Sequence, residues 1–288
     1  MPTRNNTMNG ARSAPHDEFY TLYPTIEEEL AHYDFKGLTV YCNTDEPIQS
    51  EFINYFRMNF CKLGLKRLIS TCWRASGTGF VYDSNVGIIE PLDEDGDFRK
   101  AECLEYLRQC DVVVTNPPFS LLTEFIQTMF RFNKKFIIIG NPNVLTCKGV
   151  FPYVRDNMMW TGMTRFNTGM MFVLPDSYEK YKYIDEMGRK IGRVATSCWW
   201  TNMENERHLK GMAPTGIKFD PAVYKIYDDI NATEIPQYSL IPDDYKGPMG
   251  VPITFINKHS PSQFRILDVV SPVLEGKKLY KRLIIERV

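Results

Sequence analysis

The stretch with the clearest chemistry is Thr115-Asn116-Pro117-Pro118-Phe119, which leaves the apolar run Val112–Val114. Each proline fixes φ at about −65° and holds its predecessor extended, so Asn116 and Pro117 are both stiff. Neither proline has an N–H to donate, so the exit offers carbonyls and the Asn116 side-chain oxygen without a competing backbone donor. That arrangement suits a planar ligand bearing an amino group. The Asn116 oxygen and the Pro117 carbonyl each accept one N–H, and Phe119 stacks on the ring. A ring amine whose lone pair is delocalised is a poor nucleophile. Two acceptors that favour a tetrahedral nitrogen localise that pair for attack on an electrophilic methyl. The same residues also read as a strand-ending Pro-Pro turn without chemistry.

The elements around this stretch follow from periodicity. LTVYCN (38–43), LKRLISTCW (65–73), DVVVT (111–115) and KKFIIIGN (134–141) read as strands. Between them, PIQSEFINYFRMNFCKLG (47–64) carries apolar residues at helical spacing, with Pro47 in its first turn and Gly64 at its end. RKAECLEYLRQ (99–109) and SLLTEFIQTMFRF (120–132) read as helices, the latter capped by Ser120, and TIEEEL (25–30) as a helix capped by Thr25. GTGFVYDSNVGIIEPL (77–92) reads as a hairpin turning at Asp83-Ser84-Asn85. This alternation predicts a parallel α/β sheet with helices on both faces. Beyond about residue 145 the rhythm changes: MMFVL (170–174) and RVATSCWWT (193–201) read as strands, and 211–252 is rich in Pro and Gly, predicting loop-rich material. Ligands of parallel α/β sheets bind beyond the carboxyl ends of the strands. Two polar segments sit there, YCNTDEPIQS (41–50) and TNPPFS (115–120).

The totals are those of a globular protein: 288 residues, 43% hydrophobic and 24% charged. No apolar run approaches the roughly 20 residues that cross a bilayer, and the N-terminus lacks an apolar signal core, so no membrane role and a cytoplasmic location are expected. Seven cysteines without a CxxC pair read as reduced, mostly buried thiols, and four scattered histidines argue against a metal site. Net charge is −1, but residues 189–288 hold 15 Lys and Arg against 11 Asp and Glu, whereas 1–188 hold 19 against 24. The imbalance permits a phosphate-contacting face in the C-terminal third; it also reads as ordinary solvated surface.

TNPPF looks like the catalytic motif of S-adenosylmethionine-dependent amino-group methyltransferases, whose substrates include DNA adenine, RNA bases and protein glutamine. Four further stretches narrow this: DEFYTLYPTIEEEL (17–30), VYCNTDEPIQSEFINYF (40–56), GDFRKAECLEYLRQCDVVVTNPPFS (96–120) and GRVATSCWWTN (192–202). With YKGPMGVPITFINKHSPSQFRIL (245–267), they resemble, in family order, the EcoRI-type adenine-specific DNA methyltransferases. The resemblance implies a Rossmann-like class I methyltransferase sheet and a loop-rich C-terminal target-recognition region. Residues 1–16 would be a disordered leader, 17–200 the catalytic core, and 201–288 the recognition region interleaved with it. It further implies a bacterial, plasmid- or phage-encoded monomer acting on a flipped adenine in double-stranded DNA. An RNA or protein-glutamine methyltransferase and a dead DNA-binding scaffold are the alternatives.

Residue by residue, the resemblance makes Asn116, Pro117, Pro118 and Phe119 catalytic. It assigns S-adenosylmethionine to Tyr20, Thr21, Asn43, Asp45, Pro47, Ser50, Asp97, Phe98 and Asn116. Asp45 would bind the aminoacyl ammonium, Asp97 the adenine amine of the cofactor, and Phe98 its ring. Asp45 also reads as a helix N-terminal carboxylate, and Asp97 as a helix cap. The first loop lacks the glycines common in methyltransferases, and ISTCWRA (69–75) lacks the acidic residue that usually meets the ribose. Arg207, Lys210, Lys246 and Lys258 are candidate DNA contacts. Trp199, Trp200, Tyr224, Tyr227, Tyr238 and Tyr245 read either as a base-stacking surface or as core.

Overall fold

The computed structural model describes residues 19–164, 166 and 168–288. The expected leader 1–16, and Asp17 where the resemblance begins, lie outside the described residues. The chain divides into two compact units, Met1–Asn141 with Gly162–Met203, and Pro142–Thr161 with Glu204–Val288.

In the first unit seven described strands form a mixed sheet: β1 (Thr39–Cys42), β2 (Arg67–Cys72), β3 (Phe80–Asp83), β4 (Ile89–Pro91), β5 (Val112–Thr115), β6 (Lys135–Gly140) and β7 (Cys198–Thr201). Their order is β4-β3-β2-β1-β5-β6-β7. The parallel expectation holds for the four central strands, where β1 lies between β2 and β5 and β5 beside β6. The hairpin β3–β4 and strand β7 add antiparallel pairings at the two sides.

Alternation along the strands decides what covers each face. Val40, Cys42, Val112, Val114, Ile137, Ile139 and Trp199 share one buried cluster with Ile26 and Leu30 of α1 (Tyr23–Leu30) and Phe52 and Phe56 of α2 (Glu51–Met58). Intervening residues meet the other two long helices: Tyr41 lies against Tyr106 of α3 (Ala101–Gln109), and Phe136 against Phe130 of α4 (Leu122–Arg131).

Four helix starts differ from expectation, α3 beginning at Ala101 rather than Arg99. α1 begins at Tyr23, with Thr25 inside it and Leu22 as cap residue, because Pro24 is compatible with a first turn whose N–H groups are unpaired anyway. α2 begins at Glu51 rather than near Pro47. Glu46 Oε2 accepts the amides of Ile48 (3.0 Å) and Gln49 (2.8 Å), which holds 46–49 as a separate turn. Ser50 then caps the helix by accepting the Phe52 N–H at 3.2 Å. α4 begins at Leu122, because Phe119–Leu121 forms a 3-10 turn that places Ser120 before the cap position. Gly64, at φ +61°, ends the short helix Phe60–Leu63 as expected for a left-handed cap.

A second antiparallel sheet of this unit joins Tyr20–Thr21, Met170–Val173, Lys190–Val194 and Tyr183–Ile184 in that order. The run read as one strand over 193–201 is thus two, with Lys190–Val194 here and β7 in the main sheet.

In the second unit, the stretch 211–252 is mostly irregular as expected, but it contributes two short strands to a four-stranded sheet. The sheet's described strands are Thr233–Glu234, Met249–Pro252, Arg282–Arg287 and Phe264–Val270, in that order. Met249, Val251, Phe255, Phe264, Ile266, Leu283 and Ile285 are buried around it. Among the described residues no helix is long and apolar enough to cross a membrane. The seven cysteines are free thiols; Cys61 is exposed and Cys147 half-buried, and the other five are buried.

Candidate active site

Because β1 and β5 are parallel neighbours, paired Val40 to Val112 and Tyr41 to Val113, both chains leave the sheet at one edge. The first exit is Asn43-Thr44-Asp45-Glu46 and the second Asn116-Pro117-Pro118-Phe119. Hydrogen bonds join them. The Thr115 hydroxyl donates to Asp45 Oδ2, and Ser50 Oγ donates to Asp45 Oδ1 at 2.6 Å. Asp45 is 9% exposed, so its carboxylate is fixed by hydroxyls from both sides of the edge. Ser50 therefore has two tasks, capping α2 and orienting Asp45.

A third segment reaches the same edge through a close backbone approach. Gly96 has φ +83°, and a Cβ there would lie 2.0 Å from the Cys72 carbonyl oxygen. Only glycine lets the 92–97 loop pack on the end of β2, where Arg74 N donates to Asp95 O at 2.9 Å and Gly79 N to Glu94 O at 2.8 Å. Asp97 follows. It accepts from Arg99 Nε and from the Arg99 amide, both at 2.9 Å, and the guanidinium holds its carboxyl below the ordinary range. Asp97 is not the cap of α3, which is Lys100. Phe98 is buried against Phe125, ring centroids 5.0 Å apart. The fourth segment is the short strand Tyr20–Thr21, preceded by Phe19, whose carbonyl accepts Asn116 Nδ2 at 2.6 Å.

These segments enclose a cavity of about 510 Å³. Tyr20, Thr21, Asn43, Asp45 and Ser50 line it, as do Asp97, Phe98, Asn116 and Pro118. Pro47, Pro117 and Phe119 are not among its lining; Phe119 packs on the core cluster with its ring 6.1 Å from Phe19. Three buried polar atoms of the lining residues have no partner among the described residues: Thr21 Oγ1, Asn43 Oδ1 and Asn116 Oδ1. A buried polar atom left unsatisfied costs roughly 1–3 kcal/mol. A ligand with hydrogen-bond donors in this cavity would satisfy all three. Among the described residues no cluster of His, Cys, Asp or Glu has the arrangement of a metal site.

Sequence reasoning missed several lining residues. Trp73, just past β2, is 47% exposed, a large apolar wall that its position after a buried strand signals. Arg74 binds Glu46 of the β1 exit at 2.9 Å, so the place where an acidic residue was sought holds a cation. Thr44, Glu51, Arg99 and Phe19 also line the cavity.

The proposed DNA contacts all lie in the second unit. Arg207 donates to Asn257 Oδ1 at 2.7 Å, whereas Lys210, Lys246 and Lys258 are exposed, Lys258 with its ammonium 5.9 Å from the Tyr238 ring. Of the six aromatics, Trp199 and Trp200 are fully buried and Tyr224 and Tyr227 nearly so. Packing, not base stacking, accounts for these four. Tyr238 is 40% exposed, and Tyr245 stacks on Phe219 at 4.1 Å.

Comparison with known proteins places the whole chain in one family. The family described as "Adenine-specific methyltransferase EcoRI" matches residues 7–89 and 77–285. The chain is 35% identical to the Type II methyltransferase M.EcoRI of Escherichia coli, over 98% of this chain and 96% of that one. It is 32% identical to M.MgeORF184P of Mycoplasma genitalium (91% and 86% covered) and 31% to M.MpnI of Mycoplasma pneumoniae (91% and 85%), both Type II methyltransferases. No solved structure matches. With an Asn-Pro-Pro-Phe exit, a cavity at the edge beside it and near-complete coverage by its relatives, the chain belongs to the EcoRI family of adenine-specific methyltransferases.

Proposed function

We propose that the protein is a site-specific DNA methyltransferase that moves a methyl group from S-adenosylmethionine to the exocyclic N6 amine of an adenine flipped out of double-stranded DNA. The observation that carries this reading is Asn116 Oδ1, buried and unpartnered beside a cavity built from both strand exits. The central parallel strands, with helices on each face, are compatible with a Rossmann-like class I core.

The cavity fits the methyl donor. Its lining carries Asp45, Glu46, Glu51 and Asp97 against Arg74 and Arg99, an acidic balance suited to a ligand bearing an ammonium and a sulfonium. Asp45, held by Ser50 and Thr115, with the open oxygens of Asn43 and Thr21, would take the aminoacyl end. Asp97, pre-oriented by Arg99, would take the adenine amine, and Phe98 and Trp73 would wall its ring. Glu46 is the acid best placed for the ribose hydroxyls. When bound, S-adenosylmethionine supplies an electrophilic methyl on sulfur.

The rest belongs to the chain. Asn116 Oδ1 and the Pro117 carbonyl accept the two N–H groups of the target amine and localise its lone pair. Phe119 and the stiff Pro-Pro exit orient the ring, and after transfer the nitrogen sheds its surplus proton to water. Pro47 shapes the β1 exit. The second unit, with Arg207, Lys210, Lys246 and Lys258, would hold the duplex. The protein would act as a monomer in the cytoplasm of a bacterium.

The test is incubation with methyl-labelled S-adenosylmethionine and duplex DNA, followed by long-read sequencing of the product. Label as N6-methyladenine in one sequence context is expected. Label confined to RNA or protein would overturn the substrate, and absence of thermal stabilisation by saturating cofactor would favour the dead scaffold.

A further inference from the structure

We infer that the Phe19 main-chain carbonyl is a positioning group for catalysis: it selects the amide orientation of Asn116, and thereby makes asparagine, not aspartate, the residue this site requires. The inference rests on the reading of Asn116 as the acceptor of the target amine.

A carboxamide has a donor end and an acceptor end, and its neighbours decide which faces the substrate. Phe19 O lies 2.6 Å from the Asn116 amide nitrogen. A carbonyl oxygen has no proton to give, so only the NH2 end of Asn116 can face it at that distance. The other end, Oδ1, is then left buried and without a partner among the described residues. The orientation is thus dictated from position 19, outside the Asn-Pro-Pro-Phe motif.

The carbonyl is itself held from two sides. The next two residues pair in the sheet, Tyr20 with Val173 and Thr21 with Phe172. The Phe19 ring, 7% exposed, lies 5.9 Å from Phe172, 5.6 Å from Tyr178 and 6.1 Å from Phe119. The chain entering the main sheet's neighbour therefore locks the motif's side chain as well as lining the cavity.

An aspartate at position 116 would set a carboxylate oxygen against the Phe19 carbonyl, two acceptors with no proton between them. The carboxylate has to turn away or move off, and the acceptor aimed at the amine is lost. Protonation restores the pattern, because the acid O–H donates to Phe19 O while the other oxygen accepts from the amine. N116D thus acquires an acid dependence that a merely structural role of Phe19 would not produce.

The experiment is single-turnover methylation of duplex DNA at saturating S-adenosylmethionine from pH 8 to 5.5, for wild type and N116D. At pH 8 the variant is expected to be slower by about 100-fold, the loss typical of one positioned dipole. The ratio of variant to wild-type rate is expected to climb by up to about tenfold per pH unit on acidification and to level off near one, as the protonated fraction of a carboxyl does. Asp45 and Glu46 of the β1 exit, Glu51 of α2, Asp97 and Arg99 beyond β4, Arg74 beyond β2 and Tyr178 against Phe19 are common to both proteins, so the ratio isolates position 116. A second variant, Phe19→Gly, keeps the carbonyl but frees the backbone that holds it. It is expected to slow transfer about tenfold or more at saturating cofactor, with asparagine still in place.

A ratio that stays flat with pH, an N116D enzyme as fast as wild type, or a Phe19→Gly enzyme of wild-type rate would overturn the inference. Wild type failing to methylate adenine in DNA would instead remove the functional reading, and this inference with it.

Discussion

At Asp45 two readings, cofactor anchor and helix carboxylate, meet in one side chain. The helix task has gone to Ser50, which caps α2 and also donates to Asp45, while Thr115 donates from the neighbouring strand. A buried carboxylate with both oxygens held by hydroxyls lies beside an unpartnered Asn43 oxygen, an arrangement that supports the proposed anchoring of a cationic ligand. Replacing Asp45 by Asn removes the charge and turns an amide N–H2 toward one of two hydroxyls that now donate. S-adenosylmethionine affinity is expected to fall about tenfold, as for the loss of one charge-assisted bond. Isothermal titration reads this directly, and an unchanged Kd would return Asp45 to a structural role.

Among the elements, the loop that carries Asp97 depends on two glycines in backbone contact, Gly79 and Gly96. Cys72, Gly79 and Gly96 meet backbone to backbone, and an alanine at 96 would have to find room against the Cys72 carbonyl at a φ that L residues rarely adopt. Gly96→Ala is expected to lower stability by more than about 1 kcal/mol in urea unfolding and to weaken cofactor binding together with it. Strands β1, β2, β5 and β6 were legible as contiguous apolar runs because each is buried on both faces. Helix starts were less so: Glu46 captures two amides and Pro24 fits within a first turn, and propensity alone ranks neither event. The Lys190–Val194 and Cys198–Thr201 strands read as one because nothing in their composition marks the turn that sends them to different sheets.

For the molecule as a whole, the second unit carries a response to acid. His208 stacks on Trp160 at 3.9 Å and lies 6.4 Å from His259, whose Nε2 meets the Phe264 carbonyl at 2.9 Å. Burial, aided by His259, lowers the His208 pKa from the ordinary 6.5 to about 4. A folded pKa below the unfolded one means that the unfolded chain takes up the proton first. Stability is therefore full above pH 6.5 and is lost as pH falls toward 4. His208→Gln is expected to flatten this part of the melting-temperature profile relative to wild type, and equal slopes for the two proteins would exclude His208 as the cause. The same unit presents Lys210, Lys246 and Lys258 to solvent. Each change to Ala is expected to reduce the slope of log K against log salt for duplex binding by about one, with little effect on cofactor affinity.

Amino-group chemistry was readable from the linear chain. Asn-Pro-Pro-Phe is contiguous, and which of its atoms donate or accept is settled by covalent chemistry, so its logic survives without coordinates. Folding is needed to tell which surrounding side chains line the cavity and which serve packing. Phe19 and Asn116 are 97 residues apart, and Thr115 and Asp45 are 70 apart. Trp199 and Trp200 read as candidates for stacking a base, yet they are wholly enclosed, whereas Trp73, which the sequence did not single out, lines the cavity. Glu29 stands in an acidic run, and it is fully buried, accepting from Tyr33, Met163 and Thr164. Desolvation and hydrogen-bond partnership are properties of the assembled neighbourhood, and residue type carries them only once distant segments have met.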